Sequence, residues 1–557
     1  MLCRFIPCFN MLNAGMEEAV KKLPKYLQPL YIVFSFEVLI VLLTALDFLP
    51  RWFVWPLTGG LAIYLVLASL ENALVFFIAS IPLFIALPVT ETFDSMSNWR
   101  ILLAVLFLAL FFKRGISIAF VRQKSESWLK GIKLIEKHKH YLMEYLAGFF
   151  LIIGALSLFA AVDAVAGVKK LLFLINAFLL FVVIRNVAKT KEVILKVARA
   201  LFVAAAVALF AGYGQFISIF FASLYDFWQW WAGNVIPVFY GRALGELLAV
   251  SNTWFSYYAD RPPSLRLFSV FPDSHSFGLF MVLSVPILLT VFYGKKKFGY
   301  YPVLVFFLSA VILSGSRGIW LSAALPFAVG LYLFFKKSDW KSVLKPILLS
   351  FAALVLLFPI VSVLLGASQE SPEGEYVPSS FALAFKRVKS ISDISETSNL
   401  SRLQIWQKSL KAISQRPFLG VGVGNYPRVL EQDIEAGKKG ASAHNLYLDV
   451  ASEAGIAAGL VLILIFVEML RISHQILKQS KEPVFSVFAA SFGLYIFWVL
   501  GYNLFDVVLL NDKVLLFFTA STAILFSVKN ILDERSHEQT STIGINKSPD
   551  LQRPEIS

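Results

Sequence analysis

A group of polar residues stands at the start of a long apolar run, in the stretch SAHNLYLDVASEAG at residues 442–455. His444 is followed closely by Asn445, Tyr447 and Glu453. Histidine has an ordinary pKa near neutral pH, so a neutral imidazole can accept a proton from a reacting group. His444 is therefore a candidate general base, and Asn445, Tyr447 and Glu453 are candidate supporting residues.

Two arginines occupy comparable positions beside other apolar runs. Arg266 lies just before a run that starts near residue 276, and Arg317 interrupts the stretch ILSGSRGIWLSA between two runs. A planar guanidinium group binds phosphate or carboxylate oxygens in pairs, so both arginines are candidates for anion binding. Simpler roles remain open for all three residues. Arg317 could be a helix-end arginine whose side chain reaches the membrane surface, and Arg266 could form a salt bridge within a loop. His444 could be a hydrogen-bonded polar residue next to a helix cap.

The elements that position these residues are membrane helices. Hydrophobic residues make up 58% of the chain and charged residues 15%, and the mean hydropathy is +0.72, all far from the values of soluble proteins. The sequence predicts an all-α integral membrane protein, a polytopic bundle of about 12–14 transmembrane helices with a large, partly helical outer loop. The predicted spans are 30–48, 54–70, 72–88, 100–113, 143–162, 169–185, 198–221, 276–293, 299–314, 318–335, 345–366, 446–470, 484–503 and 513–528. The second and third form the weakest pair, and either could be a re-entrant or half-length helix.

Lysine and arginine concentrate in alternate connections between the spans. The connection 113–141 is rich in both, and so are 185–199, 294–297, 335–341 and 471–481. Because basic residues favour the cytoplasmic side, these connections and both termini are predicted to be cytoplasmic. The net charge of +14 is then explained by topology and by contact with anionic membrane lipids, so a nucleic acid partner is not expected.

The chain divides into five predicted segments by this topology. They are a cytoplasmic leader at 1–27, a first transmembrane part at 28–366 that includes an outer loop at about 222–275, a large periplasmic loop at 367–445, the last transmembrane helices at 446–528, and a disordered cytoplasmic tail at 529–557. Four of the six histidines fall in cytoplasmic segments, which leaves His275 and His444 on the outer side with Arg266 and Arg317.

Several stretches together resemble one known family. PFLGVGVGNYP followed by AHNLYLDVASEAGIAAGLVLI, with LSGSRGIWLS and RLFSVFPDSHSFGLF upstream, resembles the O-antigen ligase and O-antigen polymerase superfamily of bacterial inner-membrane glycosyltransferases. The resemblance covers about residues 250–465. By this resemblance the paired arginines of the family correspond to Arg266 and Arg317, its histidine to His444, and a recurrent loop arginine to Arg402.

One departure from the family lies near the first arginine. Many members have Pro-Asn where this chain has Ser274 and His275, so His275 enters as a candidate supporting residue whose role in donor or acceptor binding is open.

The resemblance implies transfer of a glycan from undecaprenyl diphosphate to an acceptor hydroxyl on the periplasmic face, without a metal ion or other cofactor. O-antigen ligation to the lipid A core is the preferred form, and a polymerase or a protein O-oligosaccharyltransferase is the alternative. In this chemistry Arg266 and Arg317 neutralise the leaving diphosphate. His444, held neutral by the two arginines, accepts the acceptor proton, and direct displacement inverts the anomeric configuration.

A different class, a flippase or other transporter of lipid-linked glycans, predicts polar groups at the membrane midplane and an internal repeat. Only Glu37, inside a span, favours that class, and pairing within the bundle explains it equally well. Two other features have structural explanations. The glycines at 420, 422 and 424 favour a tight turn or a close approach of helices over a phosphate-binding loop. For Glu453, a role in helix packing or at the helix dipole is at least as well supported as a role in orienting a neighbouring residue.

Overall fold

The computed structural model describes residues 28–90, 93–114, 141–250, 253–258, 261–294, 297–367, 397–431 and 442–545. The predicted leader 1–27 and much of the predicted loop 367–445 lie outside these residues. Twenty α-helices occur in the described part. They are α1 (Pro29–Ala45), α2 (Val54–Leu67), α3 (Leu70–Ala79), α4 (Trp99–Arg114), α5 (Leu142–Ser157), α6 (Ala164–Val187), α7 (Lys191–Ser218), α8 (Leu224–Trp230), α9 (Ile236–Tyr240), α10 (Arg242–Ala249), α11 (Ser274–Val291), α12 (Lys297–Leu313), α13 (Arg317–Ser322), α14 (Ala324–Lys336), α15 (Lys341–Ala367), α16 (Thr397–Gln415), α17 (Leu446–Ala454), α18 (Ile456–Gln479), α19 (Pro483–Tyr502) and α20 (Asp512–Ile545).

Two short antiparallel hairpins accompany the helices. Strand β1 (Ala86–Leu87) pairs with β2 (Met96–Ser97), and β3 (Phe255–Tyr258) pairs with β4 (Arg261–Leu265) with an irregularity between Ser256 and Tyr258. The second hairpin ends at the residue before Arg266, so it sets the position of that arginine.

Nine helices in the described part of the chain are long and apolar enough to cross a membrane, and four apolar helices are shorter. A helix satisfies its backbone hydrogen bonds internally, which is why apolar runs of this length fold as helices in lipid. The prediction of an all-α polytopic membrane protein is therefore confirmed. The number of crossings and the domain boundaries remain predictions.

Three helices form the centre of the bundle. In the most apolar 18-residue stretch of each helix, 89% of the residues of α11 and 83% of those of α19 and α20 are buried inside the protein. The corresponding share is 22% for the continuous helix that comprises α13 and α14. Helix α7 packs against α11 and buries alanines at 200, 204 and 208. Small side chains at this spacing let two helices approach closely. The helices that carry the candidate residues are thus anchored to a packed centre.

The structure corrects several predicted elements. The predicted span 72–88 contains only the ten-residue helix α3, followed by a 3₁₀ turn at Ile81–Leu83 and strand β1, so it is a half-length helix. The predicted span 446–470 is interrupted at Gly455, whose φ of +87° separates α17 from α18. The predicted outer loop 222–275 contains α8, α9, α10 and the second hairpin.

Helix α20 extends beyond the predicted last span into residues 529–545 of the predicted tail. Helix α20 continues through them to Ile545, and near the start of this extension Lys529 forms an ion pair with Asp533. Arg535 lies 3.7 Å from Glu482, at the start of α19. Ion pairs four residues apart and contacts to a neighbouring helix stabilise a polar helix that hydropathy does not detect.

Candidate functional site

The turn at 314–316 between α12 and α13 lies next to both candidate arginines. Gly315 adopts a φ of +66°, in the left-handed region that favours glycine. A methyl group at Gly315 would lie 3.1 Å from Cγ and 3.2 Å from Cδ of Arg266, so the aliphatic part of Arg266 lies against this glycine. Arg317 follows two residues later as the first residue of α13. The Arg266 side chain therefore lies against the turn from which Arg317 begins α13.

Arg266 is fixed at both its backbone and its side chain. Its backbone N–H donates to the Trp254 carbonyl over 2.9 Å, and its Nε donates to Ser256 Oγ over 2.8 Å. The next residue, Leu267, donates its N–H to the carbonyl of Leu313 at the end of α12 over 3.0 Å. The second hairpin is thereby tied to the turn, which holds Arg266 in a defined orientation.

The start of α13 also packs against the end of α19. Trp498 donates its indole N–H to the Ile319 carbonyl over 2.8 Å, and a methyl group at Gly318 would lie 3.2 Å from the ring of Tyr502. Ser316 Oγ and Tyr502 Oη are 3.3 Å apart. The turn that carries Arg317 is thus linked to Tyr502 by packing and by a hydrogen bond.

A buried carboxylate continues this link to a histidine. Tyr502 Oη donates to Asp506 Oδ2 over 3.2 Å, and His275 Nδ1 donates to the same oxygen over 2.6 Å. The other oxygen, Asp506 Oδ1, accepts from the Val507 N–H over 2.8 Å. His275 stands in the first turn of α11, which Asp273 caps by accepting from the Ser276 N–H. The chain from Ser316 through Tyr502 and Asp506 therefore ends at His275.

His444 stands just before α17, and its neighbours hold it there. Asn445 caps the helix by accepting from the N–H groups of Tyr447 and Leu448 over 3.0 and 3.1 Å. Tyr447 Oη donates to the Leu500 carbonyl over 3.0 Å. The φ of His444 is +46°, an uncommon conformation for a residue other than glycine and one that often marks a functional position. Asn445 and Tyr447 thus anchor the start of α17 to α19.

A further contact fixes the residue before His444: the Ala443 N–H donates to Asp449 Oδ1 over 3.0 Å. The Nδ1 atom of His444 is buried, and within the described residues no protein group hydrogen-bonds to it. The imidazole is therefore positioned through the backbone contacts of its neighbours.

The surroundings favour the neutral form of His444. Burial lowers its pKa below the ordinary value of 6.5; the charge of Asp506 opposes this shift, and the charges of Arg402 and His275 add to it. The sequence-based interpretation gave this effect to Arg266 and Arg317, whereas the structure assigns it first to burial and then to Arg402 and His275. Arg402, in α16, and His275 therefore act on the electrostatics of the candidate base.

Asp506 carries the negative charge of the site. Burial on its own would raise the pKa of this carboxyl, but the hydrogen bond and charge of His275, together with His444, bring it down from 3.8 to about 2. Asp506 is thus ionised at neutral pH next to two histidines. Sequence reasoning missed Asp506 and Tyr502. Both lie in the stretch YNLFD at 502–506, at the end of a predicted span, where polar residues are ordinary and hydropathy does not single them out.

Glu453 lies in a different environment. It is buried and forms an ion pair with Lys170 of α6 at 2.5 Å, while Asp449 lies 3.6 Å from the same Nζ atom. Glu453 Oε1 also accepts from the Tyr426 N–H over 3.3 Å. These contacts give Glu453 a structural role, which is to hold α17 and the segment before it on α6.

The glycines of PFLGVGVGNYP serve the same packing. Gly420, Gly422 and Gly424 have φ values of +61°, +94° and +77°. The Gly422 N–H donates to the Glu453 carbonyl over 2.9 Å, and a methyl group at Gly422 would lie 2.5 Å from the Ala161 Cα. The segment is a tight, closely packed turn. Among the described residues no group of three or more His, Cys, Asp or Glu side chains is arranged to hold a metal ion.

The comparison with known proteins agrees with this architecture. Residues 302–463 match the family model described as O-antigen ligase. The match runs from α12 into α18 and includes Arg317, Arg402 and His444, whereas Arg266 and Asp506 lie outside it. No curated protein matches the chain.

Proposed function

Because residues 302–463 match the family model described as O-antigen ligase, we propose that this membrane protein is a metal-independent glycosyltransferase that moves a glycan from undecaprenyl diphosphate to an acceptor hydroxyl. The preferred reaction is ligation of O-antigen to a sugar of the lipid A core. In this proposal the protein lies in the bacterial inner membrane, and the site faces the periplasm.

One observation carries the proposal. The Arg266 side chain lies against Gly315, two residues before Arg317. The same turn is joined through Ser316 and Tyr502 to Asp506, whose charge acts on His444. An anion-binding pair and a proton-accepting imidazole are the two parts that displacement of a diphosphate by a hydroxyl requires.

The arginines act on the leaving group. The bond between the anomeric carbon and the diphosphate oxygen breaks, and the bonding electrons move to the diphosphate. Two guanidinium groups can donate paired hydrogen bonds to its oxygens, and they stabilise the developing charge more strongly in a site that excludes water. A diphosphate so stabilised leaves without a general acid.

His444 acts on the acceptor. The acceptor oxygen attacks the anomeric carbon from the side opposite to the diphosphate, so the configuration inverts, and its proton moves to the imidazole of His444. The lowered pKa keeps that imidazole neutral before the reaction. The ionised Asp506 stabilises the imidazolium that forms, because its charge favours the protonated ring.

Reconstitution with purified protein tests this function. The protein in lipid nanodiscs is incubated with an undecaprenyl-diphosphate glycan and, in separate reactions, with lipid A core, with a second lipid-linked glycan or with a peptide. Product on lipid A core that disappears in His444→Ala supports ligation. Product only with the second glycan or the peptide identifies a polymerase or a protein glycosylation enzyme instead. Movement of the donor across the membrane of proteoliposomes that contain the protein, without any glycan transfer, overturns the proposal.

The proposed orientation has its own test in cells. Ser414 in α16 and Ser338 after α14 are both exposed, so cysteines at these positions, in a protein whose Cys3 and Cys8 are replaced, are a matched pair. A membrane-impermeant thiol reagent should label the cysteine at 414 in intact spheroplasts and the one at 338 only after lysis. The reverse pattern contradicts a periplasmic site.

A further inference from the structure

His444 lies at the junction of two packed units. Ala443, directly before it, is fully buried in a small apolar cluster outside the membrane core. This outer cluster consists of Val421, Tyr426, Val429 and Ala443. Leu446, two residues after His444, is buried in the large core of the membrane bundle. The position of His444 therefore depends on how the outer cluster is held against the bundle.

The residue before His444 is held from two sides. The Ala443 carbonyl accepts from Trp406 Nε1 of α16 over 3.0 Å, and the Ala443 N–H donates to Asp449 Oδ1 of α17 over 3.0 Å. Asp449 is 3% exposed, and its Oδ2 lies 3.6 Å from Lys170 Nζ in α6. Ala443 is thus bonded to α16 and α17 at once, and Asp449 extends the contact to α6.

These contacts act on the backbone torsion of His444. The Ala443 carbonyl and the His444 N–H belong to one planar peptide unit, so a bond to that carbonyl orients the plane from which the next φ is measured. The φ of His444 is +46°. Such a torsion is unfavourable for a residue with a side chain, and it persists only where the surrounding structure determines it. The two bonds of Ala443 restrain the peptide that sets it.

Helix α16 also brings a charge to the same place. Arg402 precedes Trp406 by four residues, so the two side chains lie on one face of α16. Burial lowers the pKa of His444, and the charge of Arg402 adds to this effect. The other charges that act on this imidazole are those of His275 on α11, Asp449 on α17 and Asp506 after α19. Helix α16 therefore affects both the position and the protonation of His444.

We propose that Trp406 and Asp449 are positioning residues for proton transfer, because together they hold the peptide that precedes His444. This inference rests on the proposed function and deepens it, since it gives α16 a part in the reaction that acts through the backbone of the base. The proposed diphosphate site is on a different turn, at Arg266 and Arg317. A loosened Ala443 peptide should therefore slow transfer without weakening donor binding.

Replacement of Trp406 by phenylalanine removes the hydrogen bond and keeps an aromatic ring at the contact. We expect Trp406→Phe to lower kcat for glycan transfer about tenfold with an unchanged KM for the donor, because a misplaced base costs rate. Trp228→Phe is the matched control. Trp228 is also half-buried, and its indole N–H donates over 2.8 Å to the Ala249 carbonyl at the end of α10. This variant should match the wild type in both constants.

The pH dependence separates positioning from a general loss of stability. In the wild type, burial and the charge of Arg402 lower the pKa of His444 below 6.5. Trp406→Phe loosens α16, so both effects weaken, the pKa rises, and the acid limb of the rate profile should move to higher pH. A smaller folded fraction would lower the whole profile without moving the limb. A limb in the wild-type position would overturn the positioning role.

NMR titration of histidine-labelled protein measures the same shift without a substrate. The His444 signal is identified by its loss in His444→Gln. We expect a higher pKa of His444 in Trp406→Phe than in the wild type and an unchanged one in Trp228→Phe. An unchanged pKa in Trp406→Phe overturns the positioning role, whereas wild-type protein that transfers glycan to no acceptor overturns the proposed function itself. The two failures are therefore distinguishable.

A pair of variants at Asp449 covers the case in which Trp406→Phe does not fold. Asp449→Asn keeps an oxygen that can accept from the Ala443 N–H, and Asp449→Ala does not. Lys170 keeps its ion pair with Glu453 in both. We expect Asp449→Ala to lower kcat about tenfold with an unchanged donor KM, and Asp449→Asn to retain most of the wild-type rate. Equal losses in the two variants would show that the bond to Ala443 is not what matters and would overturn the proposal.

Discussion

Replacement of Asp506 by asparagine removes the negative charge of the site and keeps the shape of the side chain. Asp506 is 5% exposed and accepts hydrogen bonds from His275 and Tyr502 on one oxygen. Its pKa is lowered from 3.8 to about 2 although burial opposes the shift. The charge of Asp506 favours the protonated form of His444, so it should stabilise the imidazolium that forms in the reaction. Its loss in Asp506→Asn should cost about 1.4 kcal/mol of that stabilisation, which lowers the transfer rate roughly tenfold.

The pH dependence separates an electrostatic role from a structural one. His444 is the base in its neutral form and its pKa is lowered, so transfer should be independent of pH near neutrality and should fall as the pH drops through a value below 6.5. The charge of Asp506 raises the pKa of His444, and His275, the partner of Asp506, lowers it by a smaller amount. Removal of the Asp506 charge therefore lowers the pKa of His444 further.

The assay is the rate of glycan transfer by purified protein from pH 4.5 to pH 8. Asp506→Asn should reduce the plateau and move the acid limb to lower pH. Asp512→Asn is the matched control, because Asp512 accepts a hydrogen bond from Trp99 and does not contribute to the pKa shift of His444. A plateau at the wild-type level, or a reduced plateau with an acid limb in the wild-type position, would refute the electrostatic role of Asp506.

Three further predictions concern the same site. His444→Ala should lower turnover by roughly 10² to 10⁴ fold with donor binding retained; near-normal transfer at all pH values would reduce His444 to a structural residue. Arg266→Lys and Arg317→Lys should each lower transfer about 10² fold, since lysine supplies charge without the planar fork, and wild-type rates in membranes with matched protein levels would contradict the diphosphate contact. Gly315→Ala should reduce transfer more than it reduces thermal stability, because the added methyl strains a φ of +66° and displaces Arg266; a loss of stability with an unchanged rate per folded molecule would show that Arg266 does not depend on this glycine.

The arginine turn could be predicted from sequence in outline only. The polarity of LSGSRG between two apolar runs predicts a break near Arg317, and the structure has its break at 314–317. The meeting of Arg266 with Gly315 could not be predicted, because it depends on the hairpin of β3 and β4 and on the bond from Leu267 to the end of α12. Contacts between residues so far apart in sequence have no local signal.

The environment of His444 was predicted with the wrong partners. The sequence identified a histidine on the same side as several cations, but the identity of the cations that act on it depends on packing. Arg402 in α16 and His275 in α11 lower its pKa together with burial, and Asp506 comes from the segment after α19. A single carboxylate just after a predicted span is typical of an ordinary helix end, so hydropathy does not identify Asp506 as a site residue.

The break between α17 and α18 also could not be predicted from the sequence. Gly455 lies within an otherwise apolar run, and membrane helices tolerate glycine, so the break between α17 and α18 is invisible to hydropathy. In the structure the Gly455 backbone packs against Phe418, and a methyl group there would lie 2.1 Å from the Phe418 carbonyl oxygen. The break therefore depends on a tertiary contact with the segment before α17.

The most direct test of the central claim is an experimental structure of the protein with undecaprenyl diphosphate bound in nanodiscs. The diphosphate is expected within hydrogen-bond distance of the guanidinium groups of both Arg266 and Arg317, with the side from which the acceptor attacks facing His444. A diphosphate bound elsewhere, with the two arginines contacting only protein groups, would contradict the account.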